Sequence, residues 1–555
     1  MAHSTPDFDF DYIVIGSGFG GSVAAFRLTE KGYRVGVMEM GRRWTAENLP
    51  KSNWELRRWL WRPTLALKGF FNMEFFRHVT ILHGCAVGGG SVTYANTLLQ
   101  PKDSIWDQGS WAGLADWKNE MPRFYDAARR MLGVVENRIL ATADLILKRA
   151  ADAAGVGHTF YRTSVAVFQP PEGEPGGKTY PDPYFGGEGP ERTTCIGCGG
   201  CMIGCRHNAK NSLDKNYLYL AEKRGARVFE ETKVVDVSPL RGRADGGDGY
   251  RVSTIRSTSR FRKQPRSFTA RGVVFAASAL GSMDLLFRLK ERGSLPAISD
   301  QLGKRVRTNA ESLIGVRVPR SRDDLSLGIA IGSGIYIDEN THIEATRYPR
   351  GSDALGFLGT LLTDGRPGWT RILLWMRVMI VSLLRRPLRT IRCLHPVGFA
   401  REGIILLCMQ NIDGHIDMRL RRRWIWPFAK VLSSSGDRIP TYIPQANEFA
   451  RRLAKMVGGE PMSMITEILF NVPGTAHILG GCTMGATAAE GVIDARNRVF
   501  GYREMYICDG SALSANLGVN PSLTICAIAE RAMSFVPDKN RSAIARPTQP
   551  PELSA

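Results

Sequence analysis

Residues 11–39, DYIVIGSGFGGSVAAFRLTEKGYRVGVME, decide the fold. The apolar run at 12–15 predicts a strand. Gly16, Gly18 and Gly21 follow in G-x-G-x-x-G spacing, with Phe19 and Gly20 between the last two, and 22–29 predicts a helix. A second apolar run, 33–38, ends at the acid Glu39. Each glycine has a physical task. Gly16 permits the tight turn, Gly18 lets the backbone approach a pyrophosphate, and Gly21 lets helix and strand pack closely. The helix start offers free N–H groups and the positive end of its dipole to phosphate. Glu39 is placed to accept hydrogen bonds from an adenosine ribose, and with no Arg directly after it a 2′-phosphate is disfavoured. A glycine triplet alone is weak evidence, whereas the complete strand–turn–helix–strand–acid unit points to a bound dinucleotide. FAD and NAD both remain open on this unit alone.

Working outward, a second strand–turn–helix signature occurs at 271–290, where RGVVFAASALGS runs into a helix over 283–290. It returns the chain to the sheet begun at residue 12. Strands are expected at 226–237 and 250–255, with a solvated basic hairpin at 256–271. The segment 106–135 reads as mainly helical, and 212–223 as a helix. In 84–91, GCAVGGGS, the bare backbone from Gly88 to Gly90 suits close approach to a flat ligand, against the alternative of a structural turn. Residues 170–192 are a Pro/Gly-rich boundary. The middle, 302–470, lacks the nucleotide signature and mixes helices with strands such as 326–337. Residues 506–508 form a short strand ending at Asp509-Gly510, and a helix runs from Pro521 to Met533. A polar tail, 537–555, is expected to be disordered. The fold class is therefore α/β: a Rossmann-like dinucleotide domain interleaved with an α+β substrate domain of antiparallel sheet plus helices. The first takes 1–118, 193–300 and 471–536; the second takes 119–192 and 301–470.

The chain has 555 residues, 43% of them apolar, and a net charge of +20. Such an excess makes anionic surfaces natural neighbours. Because the charge is scattered and no nucleic-acid motif occurs, a nucleic-acid binder that merely retains this fold is the weaker reading. The start has no basic-then-apolar signal pattern, and no apolar run of about 18 residues occurs, so a cytoplasmic protein without a membrane span is expected. Peripheral membrane contact is a further expectation. It rests on a Trp/Phe/Arg stretch at 54–76 and an Arg-punctuated apolar stretch, RILLWMRVMIVSLLRRPLRTIRCL, at 371–394. A packed loop and an ordinary surface helix are the alternatives; RLRRRW at 419–424 adds basic surface. Ten cysteines without an export signal suggest reduced thiols or metal ligands. Cys195, Cys198, Cys201 and Cys205 have the C-x2-C-x2-C-x3-C spacing of bacterial iron–sulfur ligands, although no Pro follows Cys205. An iron–sulfur or metal site there competes with a thiol-rich loop.

Taken together, these residues resemble the glucose–methanol–choline oxidoreductases, and within them the sterol-oxidising members that hold FAD noncovalently. The likeness extends over nearly the whole chain. It rests on GSGFGGS with Glu39, on 87–91, on AKNSLDKNYL at 209–218 and on THIEATRYPRGS at 341–352. HILGGC at 477–482 and DGSALSANLGVNPS at 509–522 complete it. The resemblance implies FAD rather than NAD, held by the first unit together with Gly89, Gly90, Ser91, Asn96, Val234, Asp509, Gly510, Asn520 and Pro521. It implies His477 and Asn520 as active-site residues. An alcohol loses its hydroxyl proton while hydride leaves the same carbon, and a near-neutral imidazole suits that proton. It also implies a glutamate that moves a proton in double-bond isomerisation, assigned to Glu344 with Glu311 in reserve. The expected substrate is a bulky apolar secondary alcohol, a 3β-hydroxysteroid, with oxygen as acceptor; the alternative is a dehydrogenase of another lipophilic alcohol that feeds a carrier. The family's usual Gly-Gly-Ser-x-x-Asn is altered here, since Tyr94 follows Ser91 by three places and Asn96 comes two later. No His stands in that segment for a covalent flavin link.

Overall fold

The computed structural model describes residues 8–539 apart from 241, 261, 413, 424–425 and 437–438. Of the expected tail, 540–555 lie outside the described residues, as does Trp424 of the basic run.

A seven-stranded sheet carries the first unit. Phe10–Ile15 lies between Val35–Met38 and Arg266–Phe275 and runs parallel to both. Every residue of Phe10–Ile15 is buried, as a strand covered on both faces requires. Arg227–Phe229 adds to one side of Val35–Met38. The long strand Arg266–Phe275 changes neighbours along its length. Its first half pairs antiparallel with Tyr250–Arg256, and its second half pairs parallel with Phe10–Ile15 and Met505–Ile507. The helix Phe19–Glu30 packs on this sheet and against the helices Tyr217–Lys223 and Ser522–Ser534. The chain reverses at Gly16, where φ is +99° and an added Cβ would stand 2.3 Å from the Ala276 carbonyl oxygen. An added Cβ on Gly20 would lie 1.3 Å from the Cys508 carbonyl oxygen, so the helix start is fitted against the distant strand end.

A second seven-stranded sheet is antiparallel throughout, in the order Gly359–Leu361, Glu460–Met464, Ser312–Arg317, Gly403–Gln410, Thr341–Thr346, Ile331–Tyr336, Tyr161–Arg162. Strand alternation divides its side chains. Ile343, Ala345, Leu406 and Cys408 pack under the helices Thr142–Ala153 and Pro444–Met456. Ile405 and Leu407, on the opposite face, line a cavity. The chain is thus α/β with a Rossmann-like sheet and a separate antiparallel one.

Several local expectations need correction. The helix expected over 106–135 is confined to Trp117–Leu132, because Gly109 and Gly113 at positive φ divert the preceding part into short turns. The strand expected at 326–337 begins only at Ile331, after Gly328 at φ +112°. The aromatic stretch at 54–76 is divided. Trp59, Trp61, Phe70 and Phe71 are core, while Trp54, Leu65 and Phe75 remain exposed. The stretch at 371–394 forms two helices, Trp369–Arg385 and Pro387–Leu394, divided where Pro387 starts the second. Among the described residues, no helix is long and apolar enough to cross a membrane.

Candidate active site

A cavity of about 1000 Å³ runs between the two sheets. One end is walled by Gly16, Gly18, Phe19, Gly20, Glu39, Gly89, Gly90 and Val234, and it continues past Asp509, Gly510, Asn520 and Pro521 to His477. Bare backbone makes the slot. An added Cβ on Gly18 meets nothing within 4 Å, and one on Gly90 meets only the Phe19 ring at 3.7 Å. Glu39 is buried and held by its neighbours: Oε2 accepts from the Ser17 N–H at 3.0 Å and from its hydroxyl at 2.7 Å, and Oε1 accepts from the Gly41 N–H at 2.7 Å. Burial raises its pKa against these bonds. Asp509 accepts from the Ser282 hydroxyl at 2.5 Å and from the Ser511 N–H at 2.9 Å, which fixes the turn that presents Gly510. An elongated slot with glycines at the helix start, an acid at one end and an open polar end fits a dinucleotide carrying a flat ring.

Three expected cofactor contacts lie off the cavity wall. Gly21 packs against Gly16 and Ala276, the close helix–strand contact expected of it. The Ser91 hydroxyl donates to the Gly88 carbonyl at 2.6 Å and accepts from the Leu213 N–H at 3.0 Å, so it braces the loop instead of facing the slot. Asn96 is fully buried at φ +73°, and neither of its side-chain polar atoms has a hydrogen-bond partner. Sequence reasoning also missed a wall: Ala276, Ala277, Ser278 and Ala279 line the cavity, with Ser278 at φ +68°. The run of small residues after the buried strand was the available signal.

At the far end, residues distant in sequence converge. His477 follows the short strand Gly474–Thr475 and its N–H donates to the Thr475 hydroxyl at 2.9 Å. Asn520 immediately precedes Pro521 and the helix Ser522–Ser534. Its Nδ2 lies 3.5 Å from His477 Nε2 and donates to Glu344 Oε2 at 3.2 Å. Asn520 Oδ1 and Glu344 Oε1 are buried and have no hydrogen-bond partner in the protein. Glu344 is completely buried on Thr341–Thr346, behind Asn520 and off the cavity wall itself. Burial pushes its pKa up to about 7, opposed by the Asn520 bond and by His477. Glu311, the reserve candidate for the isomerisation base, lines the cavity, and its Oε1 lies 2.5 Å from His477 Nδ1. Burial disfavours the imidazolium, but the Glu311 carboxylate outweighs it and leaves the His477 pKa raised. Beyond this polar group the wall is apolar, with Phe71, Met202, Leu313, Ile405, Leu407 and Met462 among its residues.

Among the described residues, no three or more His, Cys, Asp or Glu side chains converge as metal ligands. The loop that carries the cysteine run is held by protein groups. Lys210 Nζ donates to the carbonyls of Val92, Tyr94 and Cys201 at 3.0, 2.7 and 2.8 Å. The Gly197 and Ala209 N–H groups donate to the sulfurs of Cys195 and Cys205. Burial pushes the Cys201 thiol up to about 12, opposed by the Lys210 ammonium nearby.

The chain matches the family models for the GMC oxidoreductase at residues 191–289 and 430–529 and an NAD(P)-binding Rossmann-like domain at 14–46. It is 62% identical to a protein of Acinetobacter baumannii named cholesterol oxidase, with 96% of this chain and 95% of that one covered. It is 46% identical to a cholesterol oxidase of Mycobacterium tuberculosis, covering 96% and 92%. The solved pyridoxine 4-oxidase of Mesorbium loti shares the fold, with a TM-score of 0.58 at 13% identity over 95% of this chain and 99% of that one. With that identity over nearly both full lengths, and with the slot and the His–Asn pair in place, the chain belongs to the GMC oxidoreductase family.

Proposed function

We propose that this chain oxidises the 3β-hydroxyl of a sterol, using noncovalently held FAD and passing electrons to oxygen. One observation carries the reading: His477, Asn520 and Glu344 meet where the dinucleotide slot opens into an apolar chamber, in a chain akin to proteins named cholesterol oxidase. FAD, when bound along residues 16–20, Glu39, Val234 and 509–510, supplies the hydride acceptor. His477 Nε2 takes the hydroxyl proton of the substrate. The Asn520 amide holds the substrate oxygen. Residues such as Leu407 and Met462 exclude water and hold the hydrocarbon skeleton. Glu344, as a carboxylate that turns past Asn520 to reach the chamber, carries the proton that moves in the shift of the double bond from the 5,6 to the 4,5 position. The positive end of the Ser522–Ser534 helix, at the cavity beside Pro521, favours negative charge there. Anaerobic bleaching of the flavin across a panel of 3β-sterols and long-chain alcohols tests the reading. Bleaching by sterols at lower concentration than by alcohols supports it, and bleaching by alcohols alone overturns it. Retention of flavin in an acid-precipitated pellet would overturn noncovalent binding.

The partner presenting the sterol is, on the same reading, an anionic lipid surface. Trp369, Leu373, Ile380 and Leu384 of one helix and Leu388 and Ile391 of the next are exposed at 54–84%, a contiguous apolar face on two neighbouring helices. Residues 369–394 contain six Arg and no acid. Val378 and Met379 pack on Leu361 and on Met462 of the chamber wall. Phe357, next in sequence to Leu358 of that wall, meets exposed Trp54 edge-on at 5.8 Å. Each Arg near an anionic surface contributes about 1 kcal/mol. Cosedimentation should occur with anionic vesicles at low salt, and Arg377→Glu with Arg385→Glu should abolish it; unchanged binding in that variant overturns the proposal.

A further inference from the structure

The mechanism above uses His477 through Nε2 and leaves its other nitrogen unexplained. That nitrogen faces a side chain the proposed chemistry does not use. Glu311 is 1% exposed, its Oε1 lies 2.5 Å from His477 Nδ1, and its Oε2 accepts from the Ala476 N–H at 3.2 Å. The carboxylate is thus tied both to the imidazole and to the backbone that carries it. A carboxylate has no proton to give, so the hydrogen in this bond sits on Nδ1. Nε2 is left as an acceptor, which agrees with its position 3.5 Å from the amide nitrogen of Asn520. We propose that Glu311 is a positioning residue for the oxidation: it fixes His477 as the Nδ1–H tautomer, aims Nε2 at the substrate hydroxyl, and stabilises the imidazolium that forms when the hydroxyl proton arrives. The inference rests on the reading of His477 as the proton acceptor.

Other groups near this pair have separable roles. Glu344 and His342 approach His477 from Thr341–Thr346. His342 is bonded to the Tyr161 hydroxyl, and burial with His477 nearby depresses its pKa to about 3, so it stays neutral. Behind Glu311, Glu467 accepts from the Ser312 hydroxyl and the Leu313 N–H, and burial pushes it up to about 8. Arg371 donates to the Glu467 carbonyl rather than to Glu311. Within this set, Glu311 is the acid bonded to the imidazole.

The test compares holoprotein of wild type, Glu311→Gln and Glu311→Asp, each alone and combined with His477→Gln. Flavin reduction by a sterol in anaerobic stopped flow should be roughly 100-fold slower in Glu311→Gln. A base must be unprotonated to work, and Glu311 raises the His477 pKa, so the acid limb of the pH–rate profile should move to lower pH when that carboxylate is removed. In the His477→Gln background the same change should cost less than about threefold, because groups acting as one unit are not additive. Independently of turnover, imidazole 15N shifts assigned by difference against His477→Gln should show Nδ1 protonated in the neutral ring, with a lower titration midpoint in Glu311→Gln. An unmoved acid limb, an Nε2–H tautomer, or equal losses in both backgrounds would overturn the proposal. If Glu311→Gln yields no holoprotein, Glu311→Asp is judged by the same limb and the same cycle. Should His477→Gln itself leave flavin reduction intact, the reading of His477 fails instead, and the two failures are distinct.

Discussion

The glycine cradle at 16–21 and the cysteine run at 195–205 are both ligand motifs by spacing, and they end differently. The cradle's information lies in the backbone. Glycine permits the reversal at Gly16 and, at Gly20, the close seat of the Cys508 carbonyl where a Cβ would otherwise stand, so the local sequence nearly determines the shape. The cysteine run depends on where side chains point after the loop has been packed by everything around it. Here Lys210 and two backbone N–H groups satisfy that loop, and no metal cage forms among the described residues. Spacing written in backbone geometry is therefore stronger evidence than spacing written in side-chain ligands.

The most damaging test of this contrast is Gly20→Ala. The added methyl overlaps a carbonyl on a rigid strand end, so the change should cost about 3 kcal/mol or more and the purified protein should lack FAD. A yellow variant with an unshifted melting temperature would break the comparison at its stronger side. Next in size is His477→Ala, where side-chain chemistry does matter: flavin reduction should fall roughly 10²–10⁴-fold while FAD content holds. Parallel loss of FAD would make the imidazole structural. A smaller effect is expected of Glu344→Gln, which should release unisomerised ketone and slow oxidation by less than about tenfold. In wild type the isomerisation should fall as pH drops through about 7, because the raised carboxyl then gains a proton and ceases to be a base. Product analysis across pH by chromatography checks both. Smallest of all, Cys198→Ser with Cys205→Ser should cost no more than about 2 kcal/mol and leave flavin reduction unchanged. Stoichiometric iron or zinc in the wild type, lost in this variant, would reverse the view of the loop.

The parts legible in the sequence follow the same division. The unit from Phe10 to Glu39, the return strand Arg266–Phe275 and the helix after Pro521 were readable because local periodicity and turn chemistry specify them. His477, Asn520 and Glu344 could be named only through resemblance; 344 and 520 are far apart in the chain, and nothing local says that they meet. The contact of Glu311 with His477 was not legible either, since it spans 166 positions and depends on how distant segments pack. Ser91 and Asn96 were misplaced because a glycine-rich loop says that backbone comes close, not which side chains turn inward. Likewise Trp59 and Phe71 are as aromatic as Trp54, and only the fold decides which are core.

The strand Arg266–Phe275, flanked by Phe10–Ile15 and Met505–Ile507, sets a schedule for synthesis as well as a shape. Phe10–Ile15 emerges early, but one of its two partners appears only after residue 266. The backbone that closes the cradle at Gly20 is the carbonyl of Cys508. At roughly 5–20 residues per second of translation, the glycine turn waits about 25–100 s for that closure. For roughly the first half of that interval a buried strand has an unpaired edge, and throughout it the nucleotide site does not yet exist. Cofactor capture is therefore a late event on the ribosome or after it, and the nascent chain's exposure to chaperones is set by sheet order rather than by length.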